Sequence, residues 1–446
     1  MIRDRFILCV FSLLVLCSPT LSAAQESTVY RLSLREAIQK GLQANLNVLV
    51  ADTRVQEASG TRVRRLSAAL LPRVHSESYA NLQNRNLRAF GISAPGIPGV
   101  VGPFSNYDFR LYADQNLFDL QSYRSLKASE HALEASKLDY QDARDLIVSS
   151  IAGLYLGAQS AAARVYAAQS RVNDSQALYQ LAGSKHDAGT ATGVDVLRAQ
   201  VQLANDKQAL LAAQNQYKQS LLVLTRNLGM RPTTALELAE PLRFEPLLPP
   251  QAETVVPDAL LARADYLSLA SQREELATEQ RASRARYLPK LSVNGNYGGL
   301  GRSIGSVEGT GLIQGQIDFT VFDRDRKGEA QELASRVQRI DDQIADLRRG
   351  IEQDVREALL NLESAADEVA VAKQGQDLAQ RELQLTQDRF RSGVTNNVEV
   401  ITAQDELARA QENYIVAVSS YVDAKFALAR AAGGTEKNFD RYMGNP

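Results

Sequence analysis

The residue types that usually perform catalysis are few in this chain and poorly arranged for it. The segment Gly301-Arg-Ser-Ile-Gly305 fits the G-x-S-x-G pattern of a serine nucleophile. That pattern requires a strand before it and a helix after it in an α/β sheet, whereas strand-like sequence surrounds it here. The three histidines, His75, His131 and His186, are far apart and lack metal-ligand spacing. The sequence therefore favours a protein that is not an enzyme and needs neither metal nor cofactor.

Charge and the absence of a nucleotide motif narrow the possible functions further. The formal net charge is −2 over 446 residues, so nothing in the composition indicates nucleic acid as a partner. The sequence has no P-loop, and any nucleotide-driven work must therefore come from a partner protein.

Residues 1–24 have the pattern of a secretory signal peptide. Two arginines precede the apolar stretch Phe6–Cys17, and small residues follow at Leu21–Ala24. Both cysteines lie inside this segment, so the mature chain is expected to have no thiol chemistry. Leu16 stands where a lipoprotein signal has a small residue, which argues against acylation of Cys17. We expect no later apolar run long enough for a transmembrane helix.

The remainder of the sequence is a duplication. Segment 189–200 matches segment 393–404, 204 residues further on, and Phe118-Asp119 matches Phe322-Asp323 at the same offset. The mature chain's prolines gather at 72–103 and 232–257, leaving two long stretches without proline. The predicted organisation is a signal peptide at 1–24, a first repeat at 25–230, a proline-rich linker at 231–257, a second repeat at 258–433 and a C-terminal tail at 434–446.

Helical periodicity fills the proline-free stretches. In each repeat it predicts a long helix that ends at a basic residue before a glycine, then a shorter helix that returns. A further short helix precedes each Leu-Pro pair. The predicted long helices are at about 121–186 and 326–391, the returning helices at about 194–228 and 397–431, and the preceding helices at 45–70 and 258–287.

Two strand hairpins separate these helices. Apolar residues alternate with polar ones, as in Tyr107, Phe109 and Leu111 against Asp108 and Arg110, which is typical of a strand with water on one face. The predicted strands are at about 72–84, 106–118, 289–299 and 311–322, and residues 88–105 are predicted to form a loop. Each strand has the length that a tilted strand needs to cross a membrane.

Four strands cannot close a barrel in one chain. Single-chain barrels have at least about eight strands, and open sheet edges do not occur in hydrocarbon. If these strands span a membrane, several chains must therefore share one barrel. The strand count does not fix how many.

The signal peptide and the two units of helix, Leu-Pro hairpin, long helix, glycine turn and returning helix resemble the TolC-like outer-membrane efflux protein family. The resemblance covers about Leu32 to Gly433. It implies a mainly α fold with a β-barrel portion, assembled as a homotrimeric α-barrel/β-barrel channel in the outer membrane and periplasm. The implied function is a passive exit duct of a tripartite efflux pump or type I secretion system, carrying small molecules or polypeptides. The implied partners are outer-membrane lipid, a periplasmic adaptor, and an inner-membrane pump or ABC transporter.

The resemblance also assigns the turns between long and returning helices to the periplasmic tip. Asp195 and Glu399 are expected at the aperture, where Glu399, repeated by symmetry, would favour cations. An alternative, compatible with this role, is that both acids stabilise helix N-termini. The residues expected to contact the adaptor are Gly189, Thr190, Gly193, Val194, Leu197, Gly393, Val394, Val398 and Ile401.

Three positions depart from the family pattern at the tip. Thr402 stands where a second acidic ring usually lies, so that ring is missing. Thr395 and Phe390 stand where some members carry an Arg and a Tyr that lock the tip onto an acid matching Asp195. The sequence therefore leaves the locking contacts of this tip undefined.

A periplasmic adaptor, or another soluble helical-hairpin protein, is the principal alternative. Such proteins also use long antiparallel helices, but they do not need two membrane-length hairpins with alternating faces. An enzyme on a helical scaffold is disfavoured because no acid, base, metal or cofactor residues converge in the sequence.

Overall fold

The computed structural model describes residues 30–443, so the predicted signal peptide lies outside the described residues. The helices are α1 (Leu34–Ala44), α2 (Leu46–Leu70), α3 (Leu120–Asp187), α4 (Gly193–Asn227), α5 (Ala252–Ala262), α6 (Ala264–Ala285), α7 (Asp325–Arg391), α8 (Asn397–Ala432) and α9 (Phe439–Met443). The strands are β1 (Tyr30–Leu32), β2 (Arg73–Asn86), β3 (Val100–Phe118), β4 (Leu236–Leu238), β5 (Lys290–Gly301) and β6 (Glu308–Asp318).

Helices α3 and α7 run the length of the helical part of the molecule. They contain 68 and 67 residues, which at about 1.5 Å per residue makes each roughly 100 Å long. Each ends where a glycine adopts a left-handed conformation, with φ of 73° at Gly189 and 76° at Gly393. The Thr190 and Val394 amides then donate to the Lys185 and Arg389 carbonyls, which satisfies the last turn of each helix.

Shorter helices pack beside these two and complete a curved layer. In the half nearer the sheet, the lateral order is α2, α3, α6, α7, and in the other half it is α4, α3, α8, α7. Helix α7 is thus an outer member of the layer along its whole length. The opposite margin is formed by α2 and then by α4.

The strands β2, β3, β5 and β6 form one antiparallel sheet in that order. Leu111 of β3 lies opposite Ser76 and Tyr297, and Ala113 lies opposite Val74 and Gly295. Within this sheet, β2 and β6 each have one margin without a strand partner.

A belt of short elements packs on the helical layer at mid-length. Strands β1 and β4 pair in parallel, and Leu32, Ile38 and Leu236 pack on Ile151 and Tyr155 of α3. On the second-repeat side, α5 and residues 242–247 pack against α7 and α8.

The C-terminal tail predicted at 434–446 also joins this belt. The Arg144 guanidinium bonds the Glu436 carboxylate, with an Nε–Oε2 distance of 2.7 Å. The Glu436 amide donates to Asp145 Oδ1 at 2.9 Å. These contacts fix the start of the tail, before α9, onto α3.

Several predicted boundaries are wrong. Residues 100–105, predicted as loop, belong to β3, because they pair with β2 as far as Asn86 opposite Val100. A register shift in β2 between Gln83 and Arg85 lies beside Pro103, which has no amide to donate to the ladder.

The end of β6 is also misplaced in the prediction. The strand runs 308–318 rather than 311–322, because β5 begins at Lys290, which already lies opposite Asp318. Residues 319–322 therefore have no strand to pair with, despite their alternating pattern.

The linker at 231–257 is more structured than the sequence indicates. It contains β4 and the first half of α5, and Pro257 lies inside that helix. The helix predicted at 258–287 is in fact two helices, α5 and α6, divided at Arg263.

Among the described residues, one helix is long and apolar enough to span a membrane, which the sequence analysis did not predict. A stretch within α3 is sufficiently apolar, and half of it is buried inside the protein. Its buried residues include Ala152, Leu156 and Ala158, so it is a core segment packed against neighbouring helices and the belt.

Two glycines of the sheet differ in the space available for a side chain. A Cβ on Gly298 would lie 2.0 Å from the Phe109 carbonyl oxygen, whereas a Cβ on Gly315 would meet nothing within 4 Å. We expect Gly298→Ala to separate β3 from β5 and to lower the yield of folded protein in the membrane fraction. Gly315→Ala is the matched control and should leave the yield unchanged. Equal yields from the two variants would contradict this register.

Candidate functional site at the helical tip

The first tip turn joins α3 to α4 and is closed by a capping box. Thr192 precedes α4, and its hydroxyl accepts from the Asp195 amide at 3.3 Å. In return, Asp195 Oδ2 accepts from the Thr192 amide at 3.0 Å and from its hydroxyl at 2.7 Å. These Thr192 bonds lower the pKa of Asp195 below the ordinary aspartate value. The Asp195 carboxylate is therefore engaged in helix capping.

The second turn joins α7 to α8 and is capped differently. Asn396 Oδ1 accepts from the Val398 amide at 3.0 Å and from the Glu399 amide at 3.4 Å. The Glu399 carboxylate is half exposed, and Oε2 lies 3.7 Å from Nη1 of Arg389. Glu399 is thus the freer of the two predicted aperture acids, and its nearest cation comes from the end of α7.

Two contacts join the turns. Asn397 Nδ2 donates to the Asp195 carbonyl at 2.7 Å, and the Asn397 side chain is wholly buried. The Lys185 ammonium lies 5.3 Å from the centre of the Phe390 ring, which is a cation–π distance. An amide hydrogen bond and a cation–π pair therefore join the two turns of this chain.

An apolar cluster supports these contacts from within. Phe390 packs with Leu178, Ala182, Leu383 and Val400, so the ends of both hairpins form one bundle. Neither Asn397 nor Lys185 was identified from the sequence. At the repeat offset Asn397 corresponds to Gly193, and this difference between the two turns is the only sequence signal that could have indicated it.

An exposed apolar groove runs between α4 and α8 beside the tip. Val194, Leu197 and Val201 line one side, and Val398 and Ile401 line the other. The space is about 420 Å³, and Leu197 is 62% exposed. Large exposed apolar surfaces of this kind mark interaction sites.

The structure divides the predicted adaptor-contact residues into two groups. Val194, Leu197, Val398 and Ile401 meet in the groove. The others lie in the turns or at the start of α4: Gly189, Thr190, Gly193, Gly393 and Val394. The Thr190 hydroxyl donates to the Lys185 carbonyl at 3.0 Å, closing its own turn.

The sheet separates polar from apolar residues by face. Asp108 and Arg110 bond to each other, and Arg110 Nη1 donates to Asn296 Oδ1 at 3.4 Å. The opposite face exposes large apolar side chains, among them Leu111, Tyr297 and Ile313. This is the arrangement of a strand sheet with water on one face and lipid on the other.

The residues that resemble catalytic motifs contribute to the fold. Ser303 lies in the connection between β5 and β6, where its hydroxyl is 2.9 Å from that of Ser306. Within residues 30–443, the structure holds no group of three or more His, Cys, Asp or Glu able to bind a metal ion. His75 stacks on Tyr112, at a ring-centroid distance of 5.2 Å.

A duplicated unit of long helices ending in a four-stranded membrane-type sheet defines a channel subunit. The family model described as outer membrane efflux protein matches residues 37–230 and 256–434. The chain belongs to the outer membrane efflux protein family, whose site of action is the outer membrane.

Individual relatives are similar along most of their length. The pyoverdine export outer membrane protein OpmQ of Pseudomonas putida is 25% identical over 440 residues, covering 94% of this chain and 90% of OpmQ. The toluene efflux pump outer membrane protein TtgC of P. putida is 23% identical over 416 residues, covering 90% and 83%. The crystal structure of the Campylobacter jejuni CmeC outer membrane channel has a TM-score of 0.77 at 16% identity, covering 92% and 89%.

The amide contact between the turns predicts a local effect of mutation. Asn397→Ala removes the hydrogen bond from the Asn397 amide to the Asp195 carbonyl, and a bond of this kind contributes about 0.5–1.5 kcal/mol. We expect faster hydrogen exchange at the first turns of α4 and α8, measured by mass spectrometry. Asn173→Ala removes an exposed amide of α3 that bonds only Gln169 among the described residues, and it should leave tip exchange unchanged. If tip exchange in Asn397→Ala equals that of the unmodified protein, the contact does not hold the turns together.

Proposed function

We propose that this protein is the passive outer-membrane exit duct of a tripartite efflux pump or a type I secretion system, working as a homotrimer. The observation that carries the proposal is the sheet with two unpaired margins, formed by β2 and β6. Three copies placed margin to margin would give a closed barrel of twelve strands. Closure would satisfy the backbone groups that cannot remain unpaired in hydrocarbon.

The helical layer supports the same mode of assembly. Leu360, Val371, Leu378 and Leu385 form an exposed stripe along α7, since spacings of 7 and 11 residues are close to two and three whole helical turns. At the other margin, α4 exposes Leu211 and Leu222. A first-repeat margin facing a second-repeat margin is a head-to-tail contact, and this type of contact generates rings.

The belt determines which face of the ring is inside. Strands β1 and β4 and helix α1 pack on α3, the C-terminal tail bonds α3, and α5 packs on α7 and α8. We propose that these elements all lie on one face of the layer. With that face inward, three belts would obstruct the lumen. The uncovered face therefore lines the duct, and the belt surrounds it in the periplasm.

The tip is the proposed docking surface for the periplasmic adaptor. The groove between α4 and α8 offers exposed aliphatic side chains to a partner helix, the usual way in which an amphipathic helix binds. The inner-membrane pump or ABC transporter would deliver cargo to the same end. No energy conversion is assigned to this chain.

The cargo is proposed to be small organic molecules. The relatives named for pyoverdine export and toluene efflux support this class over polypeptides. The competing proposal of a soluble periplasmic adaptor does not account for the apolar outer face of the sheet, where Tyr297 is 74% and Ile313 84% exposed.

Charged substitutions on the α7 stripe test the assembly. Leu378→Lys together with Leu385→Lys would place cations in the apolar contact between copies, so we expect the variant to remain monomeric in detergent. Gln384→Lys adds one such charge on another side of α7 and should assemble like the unmodified protein. Native mass spectrometry measures both outcomes, and trimers of the double variant would contradict the proposed interface.

The proposed position of Glu399 at the aperture predicts that its substitution changes ion selectivity. Glu399→Gln should reduce the preference for cations, because the turn loses its half-exposed carboxylate. Arg389→Gln removes the neighbouring positive charge and should increase that preference. Reversal potentials in a salt gradient across a planar bilayer measure both effects. Unchanged selectivity in Glu399→Gln would exclude Glu399 from the aperture.

A further inference from the structure

A polar layer crosses the helical bundle just above the apolar tip cluster. It contains Arg171 and Asp174 of α3, Gln202 and Asp206 of α4, and Gln404 and Asp405 of α8. Of these, Asp206 and Gln404 are buried and Asp405 is exposed. The open space at its centre is about 10 Å³, roughly the room that one water needs. Helix α7 contributes only the neutral Leu383. The layer lies where the two hairpins meet.

Gln404 is the unusual member of this layer. It is 6% exposed, and neither its Nε2 nor its Oε1 has a hydrogen-bond partner. Buried amides almost always have partners. The free donor and free acceptor line the same small space as Asp206.

Asp206 is equally buried, at 6% exposure. Burial raises the pKa of Asp206 above the ordinary aspartate value, and the charge of Asp405 adds to this effect. Ser175, Arg171 and Gln202 oppose the shift, but the Gln202 amide is 3.5 Å from each carboxylate oxygen. Burial also raises the pKa of Asp174, with a contribution from Asp206.

We propose that Asp206 and Gln404 form a proton-operated clasp between the two hairpins of each subunit. A protonated Asp206 donates toward Gln404 Oε1, through one water in the central space, and that water also accepts from Gln404 Nε2. The link joins α4 to α8, which otherwise touch at few points. Loss of the proton leaves a buried charge that one water and the Gln404 amide solvate poorly, so the hairpins separate and the tip widens.

The direction of the pH dependence follows from the two states. In the closed tip the Asp206 pKa is raised, whereas an opened tip exposes the carboxyl to water. The closed state therefore binds the proton more tightly. Its extra stability is complete below the open-state pKa and is lost as pH rises through the closed-state pKa. Each pKa unit between the states changes the ratio of closed to open tips about tenfold.

The clasp rests on the proposed channel function, and conductance tests it. Mature protein is inserted into planar bilayers, and single-channel conductance is recorded between about pH 4 and about pH 8, above the ordinary aspartate pKa of about 3.9. Conductance should rise with pH in the unmodified protein. Asp206→Asn cannot ionise, so it should stay at the low-pH conductance throughout.

Two further variants distinguish an effect of the clasp from a general effect of charge or from misfolding. Asp405→Asn should keep the pH response but move its midpoint lower, because the Asp405 charge raises the Asp206 pKa. Gln404→Leu removes both free partners and should keep the tip open even at low pH. A flat pH profile in the unmodified channel, or an unmodified profile in Asp206→Asn, overturns the clasp. Failure of the unmodified protein to form any channel would instead overturn the proposed function.

Discussion

The structure depends on one constraint: backbone amides and carbonyls cannot remain unpaired in the hydrocarbon of a membrane. Each unsatisfied group there costs several kcal/mol. The four-stranded sheet leaves such groups along β2 and β6, while its outer face exposes Leu111, Tyr297 and Ile313. A sheet with this face in lipid is stable only when neighbouring copies supply the missing pairs. In the proposed channel, oligomerisation is thus a condition for membrane insertion.

The same two margins continue through the helical part. Helix α7, which follows β6 in the chain, is an outer member of the helical layer along its whole length, whereas α2, which precedes β2, and then α4 form the other margin. The long helices can persist because no proline interrupts them and a left-handed glycine ends each one. In the proposed assembly the belt lies on one face of the layer, which leaves the other free to line the duct. Sheet, helical layer and belt are therefore consistent with the proposed head-to-tail arrangement.

The long helices and hairpins could be predicted because local pattern and proline placement determine them. The state of residues 100–105 and 319–322 could not be predicted. A strand ends where its neighbouring strand ends, as β6 does at Asp318, which lies opposite the first residue of β5, Lys290. Asp195 was predicted to lie at the aperture or to stabilise a helix N-terminus, and the structure shows that its carboxylate caps α4. Asn397 and the Asp206–Gln404 layer were missed because they act between repeats, and sequence periodicity describes each helix only by itself.

The most direct test joins the two open margins covalently. The expected mature chain has no cysteine, so Glu77→Cys on β2 can be combined with Gln314→Cys or Gln316→Cys on β6 and oxidised in the outer membrane. These positions lie on opposite margins of one sheet, and in the proposed barrel the β6 margin of one copy faces the β2 margin of the next. The account predicts disulfide-linked dimers and trimers, with the trimer as the largest product. A chain that stays monomeric with both pairs, although it is folded and inserted, would contradict the shared barrel.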